Sequence, residues 1–187
     1  MHETRMTPVG YMAKRIESAP GWLDDSNVDG IYSVSGCISK DFADYINYWK
    51  HNGYWFFDSP DVIRQLAQQN SIALSDTHLF YYEAYEYQLR EEAGDWETFA
   101  PEPSFPLNVE QPRTAQLEGY DIVSFSCGTS PECSPLSCNG LANRIATNRH
   151  CLLSSFEEAK DLLSKGEISN CEPGPYRIFS VYSVEWP

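Results

Sequence analysis

A pattern that recurs within the chain constrains its fold more than any other feature. Asn52-Gly53-Tyr54-Trp55-Phe56-Phe57-Asp58-Ser59 pairs with Asn148-Arg149-His150-Cys151-Leu152-Leu153-Ser154-Ser155. Downstream, Asp61, Arg64, Leu66 and Ile72 fall on Glu157, Lys160, Leu162 and Ile168. Upstream, Gly30 to Ser39 matches Asp121 to Ser130, with Ser33, Ser35 and Ser39 falling on Ser124, Ser126 and Ser130. Phe80 to Tyr87 then matches Arg177 to Val184. The flanking runs are β-rich and end in small-residue turns. The pattern predicts an α+β fold in which a β-α-β-α-β unit is duplicated, over residues 28–90 and 118–187, with a Pro-rich linker at 91–117. A unit of about sixty residues buries too small a core to be comfortable alone. One compact domain with the two copies packed pseudo-symmetrically is therefore expected over residues 1–187.

Local signals place the helices. Phe42, Tyr45, Ile46 and Trp49 recur at helical period and predict a helix over Phe42–Lys50. A second helix follows Ser59-Pro60-Asp61, where Ser can cap, Pro suits the first position and Asp suits the dipole. Val62, Ile63 and Leu66 would face inward. In the later copy Ser155 and Glu158 form a capping box, Phe156, Ala159, Leu162 and Leu163 a buried stripe, and Gly166 a stop. Glu172-Pro173-Gly174-Pro175 reads as a type II turn that launches a last strand, Tyr176 to Val184. Pro101, Pro103, Pro106 and Pro112 argue for an extended linker that wraps the surface through Trp96, Phe99 and Phe105. An edge strand is expected near Tyr11 to Ile16.

Charge narrows the partners. Asp and Glu number 27 against 13 Lys and Arg, a formal net charge of -14, which phosphate backbones and anionic lipid repel. Neither nucleic acid nor a membrane is an expected partner, and no apolar run reaches the ~18 residues needed to span a bilayer. Apolar residues at 42% exclude wholesale disorder. The first ten residues contain no apolar signal core, and a chain of this length needs no disulfides to build a core. Six cysteines therefore read as reduced thiols in a cytoplasmic protein.

Three of those cysteines, Cys127, Cys133 and Cys138, share one loop that is held by Pro131 and Pro135. The loop carries what looks like an insertion near Pro131 to Pro135 relative to the first copy. Thiol catalysis would use Cys138 at the start of a helix, His150 on the next strand as base, and Asn139 to orient it or to donate to an oxyanion. Zinc would need Cys127, Cys133, Cys138 and either His150 or Cys151. The C-x5-C-x4-C spacing has no C-x-x-C knuckle, so neither a metal nor any other cofactor is assigned. The plainest reading is a packed loop whose thiols fill gaps. No H-E-x-x-H, G-x-S-x-G, Walker or G-x-G-x-x-G motif occurs.

Aromatic residues suggest binding instead. Strand alternation sets Tyr81, Glu83, Tyr85 and Tyr87 on one face, with Glu86 beside them. Tyr interleaved with carboxylates suits a partly exposed surface for a basic protein. Cys127, Glu132 and Cys133 extend the candidate surface at the loop. In composition the chain resembles the immunity proteins that neutralise basic toxins, and that resemblance implies a neutraliser or adaptor. The expected function is thus an acidic, aromatic-rich protein-binding module. A thiol-dependent enzyme and a small-molecule module using the groove between the copies are the alternatives.

Overall fold

A nearly continuous apolar and aromatic run from Leu79 to Tyr85, buried on both faces, makes one long strand the spine of the protein. The computed structural model describes residues 4–24, 27–42, 51–101, 107–126, 130–168 and 171–187. Along these the chain forms strand β1 (Met6–Lys14), helix α1 (Pro60–Gln69), strands β2 (His78–Arg90), β3 (Asp95–Thr98) and β4 (Gln116–Ser124), helix α2 (Phe156–Ser164) and strand β5 (Tyr176–Val184). The five strands make one antiparallel sheet in the order β1-β2-β5-β4. β3 pairs with Tyr87 to Arg90 and so continues the edge that β1 occupies lower down β2. The result is a mixed fold of helices on an antiparallel sheet.

Several expectations hold locally. β5 runs from Tyr176 to Val184, and β1 is an edge strand that begins earlier than Tyr11. α1 starts with Pro60 after Ser59, and Ile63 and Ala67 are buried, with Val62 and Leu66 packed at the core margin. The Ser59 side chain makes no capping hydrogen bond, whereas Ser155 and Glu158 form both halves of the capping box on α2. Phe156, Ala159, Leu162 and Leu163 are its buried stripe. After α2, Gly166 takes φ 68°, the left-handed stop.

Other expectations fail, each for a tertiary reason. Residues 30–39 form bends and no strand; the strand that precedes α1 on the sheet is β1, outside the expected 28–90 unit. Serines of that segment bond to side chains and to loop backbone instead of joining a ladder: Ser33 donates to Asp121 on β4, and Ser39 closes the segment on itself by donating to the Ile31 carbonyl. Residues 91–117 are not all linker, because β3 pairs before the first proline and β4 begins at Gln116. The longer connection lies in the first half: residues 15–51 between β1 and Asn52 exceed residues 125–147 between β4 and Asn148. Gly174–Pro175 is cis and Gly174 lacks a positive φ, so the turn before β5 is not type II. Apart from Phe42, the expected Phe42–Lys50 helix falls outside the described residues, as does Phe105.

Both sheet faces are covered. α2 lies on the face of Tyr85 and Tyr120, with the Phe156 ring 4.8 Å and 6.4 Å from theirs. α1 packs on β1 beside Tyr11, whose ring meets Tyr81 at 5.2 Å on that same face. The opposite face carries Phe80, Tyr82 and Phe179. It is roofed by Tyr32 and Phe125 of the two long connections and by Phe56 of the segment after Asn52. No described helix is long and apolar enough to cross a membrane.

Candidate functional site

Under the loop-covered face lies a buried polar layer. Lys14 is fully buried and aims its ammonium at the carbonyls of Ser33 and Ser35 and at Asp41, 3.0 Å away. Asp121, also fully buried, sits one residue past Tyr120 and therefore points away from the helices. Its carboxylate accepts from Ser33 Oγ at 3.1 Å, Val34 N at 2.8 Å, Ser134 Oγ at 2.6 Å and Ile122 N at 2.9 Å. Burial raises the Asp121 pKa to about 6, against the lowering pull of those donors. One carboxylate thus ties residues 33–34 of the first connection to Ser134 of the second.

That tie brings three cysteines together. Cys37 comes from the first connection, Cys133 and Cys138 from the second, and their sulfurs lie within 4.8 Å of one another. Cys133 is buried, Cys138 half-buried and Cys37 exposed. Ser124 and Cys133 form a β-bridge, Cys138 N donates to Ser134 O at 2.8 Å, and Cys37 Sγ donates to Glu132 O at 2.8 Å. Ser35 Oγ lies 3.7 Å from Cys138 Sγ. The neighbouring Cys133 and Cys37 thiols favour the ionised form of Cys138 and lower its pKa, while Cys133 is pushed up by Cys138, by Cys37 and by burial. None of the five described cysteines is in a disulfide. Cys127 falls outside the described residues.

The cluster differs from the expected catalytic set. Cys138 lies in a turn and opens no helix; the next helical element is the 3-10 turn Leu141–Asn143. His150 sits in a turn, not a strand; its ring stacks on Tyr32 at 3.9 Å and its Nε2 faces Glu118 Oε2 at 3.2 Å. Burial lowers its pKa, against the raising effect of Glu118. Asn139 accepts from Cys133 Sγ at 3.8 Å and from Glu172 N at 3.5 Å. Among the described residues no hydrogen bond or ion pair joins Cys138, His150 and Asn139 as nucleophile, base and orienter. Cys37 was missed by sequence reasoning. It sits among serines far from the Cys133 loop, and only the Asp121 tie reveals it as a neighbour.

On the other face, the tyrosine strand is more buried than an open surface requires. Tyr81 is 3% and Tyr85 9% exposed. Tyr85 is covered by Phe156, and Lys160 places its ammonium near the rings of Tyr85, Trp96 and Phe156. Glu83, Glu86 and Tyr87 remain half-buried. Glu83 accepts from Tyr81 OH at 3.2 Å and Tyr182 OH at 3.0 Å. Among the described residues it has no ion-pair partner. Burial, then Glu83, raises the Tyr182 pKa to about 12. Strand register sets half-buried Tyr182 beside exposed Leu117, and Ser180 beside half-buried Tyr120. Glu132, the remaining expected binding residue, accepts from Ser126 Oγ at 2.6 Å.

A groove of about 580 Å³ runs beside α1, lined by Tyr11, Asp61, Arg64, Glu110, Val184 and Trp186. Its lining mixes both charge signs and singles out no ligand class. Comparison with protein-family models, curated proteins and solved structures finds no match for this chain.

Proposed function

We propose that the chain is an acidic, aromatic-faced protein-binding module for a basic protein partner, with Glu83 at the centre of its docking strip. The observation that carries this reading is a half-buried carboxylate held by two tyrosine hydroxyls and balanced by no cation among the described residues. A Lys or Arg arriving at Glu83 would gain a charge-assisted hydrogen bond and the ring face of Tyr182. Leu117 and Tyr120 supply contact area beside it, and the net charge of -14 steers a basic partner to the surface. The reading belongs to a cytoplasmic neutraliser or adaptor of the immunity type, with no role for nucleic acid.

It extends to architecture: the two halves are read as copies of one unit. The supporting correspondence is local. Asn52 and Asn148 each donate to a bulged residue, Val9 O at 2.8 Å and Glu118 O at 2.6 Å. Each also accepts from two backbone amides of its own turn. Trp55 and Cys151 take matching positive φ values of 68° and 60°.

The test immobilises the full chain and its Glu83→Gln variant and challenges both with extract of the source cells at low and high salt. A basic protein retained by the wild type, released by salt and reduced at least about fivefold on the variant is expected. Identical retention on both columns, or none on either, overturns the reading. Unchanged thermal unfolding of Glu83→Gln shows that any loss is not misfolding.

A further inference from the structure

We propose that Cys37, Cys133 and Cys138 form a thiolate site for a zinc ion that staples the two long connections together. A tetrahedral zinc with bonds of about 2.3 Å sets its sulfurs about 3.8 Å apart. All three sulfurs already lie within 4.8 Å of one another, so a contraction of about 1 Å at most completes the geometry. The donors come from segments that are distant in the chain, which is the arrangement by which a metal closes a long loop.

The surroundings suit metal better than packing alone. Gap-filling thiols would be buried, yet Cys37 is exposed while Cys133 is buried. The cluster therefore has a closed floor and an open side for metal entry. Hydroxyls stand behind the sulfurs: Ser35 Oγ is 3.7 Å and Ser137 Oγ 4.0 Å from Cys138 Sγ, where they can donate to a thiolate. The described residues within 15–51 and 125–147 contain little regular structure, and long irregular segments in a packed protein are commonly held by a tie. Asp121 supplies one tie beneath the cluster; the metal supplies a second at the surface. Zinc displaces three thiol protons to solvent, and Cys37 gives up its hydrogen bond to Glu132 O as its sulfur turns to the metal. Three thiolates fill three of the four tetrahedral positions, and soft sulfur donors select zinc over magnesium or calcium. Three sulfurs also cannot be satisfied by one disulfide.

The reduced full-length chain, stripped by chelator, is titrated with Co²⁺ and then Zn²⁺. The expected result is a sulfur-to-cobalt charge-transfer absorption that saturates at a single Co²⁺ per chain and is bleached by Zn²⁺. Acidification weakens binding because protons compete for the thiolates. Cys37→Ser, at an exposed position, lowers cobalt affinity more than about tenfold, while Cys171→Ser leaves it unchanged. Circular dichroism of metal-free Cys37→Ser separates ligand loss from misfolding. Absence of the absorption in the reduced wild type overturns the site, and that measurement needs no variant. An absorption unchanged in Cys37→Ser overturns it equally.

Discussion

Gly10 and Gly119 occupy the same backbone situation on the two edge strands of the main sheet. Gly10 takes φ 133° just past the β1 bulge, and Gly119 takes φ 148° just past the β4 bulge. A Cβ on Gly10 would stand 2.6 Å from Phe57 O, 2.8 Å from Phe56 Cβ and 3.0 Å from Asn52 Nδ2. On Gly119 it would stand 2.7 Å from Leu153 O, 2.8 Å from Leu152 Cβ and 3.0 Å from Asn148 Nδ2. Each glycine lets a crossing chain lie directly on its strand, where Tyr11 pairs with Phe57 and Tyr120 with Leu153.

Gly10→Ala and Gly119→Ala should therefore each destabilise the protein by more than about 2 kcal/mol, from backbone strain plus a clash with a carbonyl that cannot move aside. Gly21→Ala, where no atom lies within 4 Å, should change stability by no more than about 0.5 kcal/mol. Urea unfolding of the three variants checks this. A near-neutral Gly119→Ala would show that the crossing segment shifts freely.

Acid should stabilise the fold through Asp121, because protonation removes a buried charge. The folded state holds the Asp121 proton up to about pH 6, while an unfolded Asp releases it near 4. Between those values the folded state binds more protons. The group's contribution is therefore fully present below about pH 4 and is lost as pH rises through about 6. From pH 7 to 4.5 the wild type should gain about 2 kcal/mol relative to Asp121→Asn, read from urea midpoints. Parallel pH profiles for the two proteins would contradict the assignment.

Tyr82 offers a stabilising change. It is fully buried, its hydroxyl has no hydrogen-bond partner among the described residues, and burial raises its pKa well above the usual phenol value. Its ring meets Phe56 at 5.0 Å. Tyr82→Phe keeps the ring and removes an unsatisfied polar atom, so stability should rise by about 1 kcal/mol with an unchanged denaturant slope. Tyr81→Phe should not show that gain, because its hydroxyl serves Glu83. A fall in stability for Tyr82→Phe would mean that the hydroxyl is satisfied in solution.

What the sequence determined by itself was short-range. The capping box at Ser155, the start of α1 at Pro60 and the alternation of the Tyr176–Val184 strand were legible, whereas the Asn52 and Asn148 segments read as strands and fold as turns. Each legible feature depends on groups only a few residues apart. The first strand was not legible: residues 30–39 look as β-rich as β1, but only β1 finds β2, through a register set across the sheet. The burial of Tyr81 and Tyr85 depends on rings from β1, α2 and β3 that strand alternation does not reveal. The thiol cluster was half legible, since Cys133 and Cys138 share a loop. Cys37 joins them only because buried Asp121 bonds to both connections at once, and that hydrogen-bonded tie exists only in the folded chain.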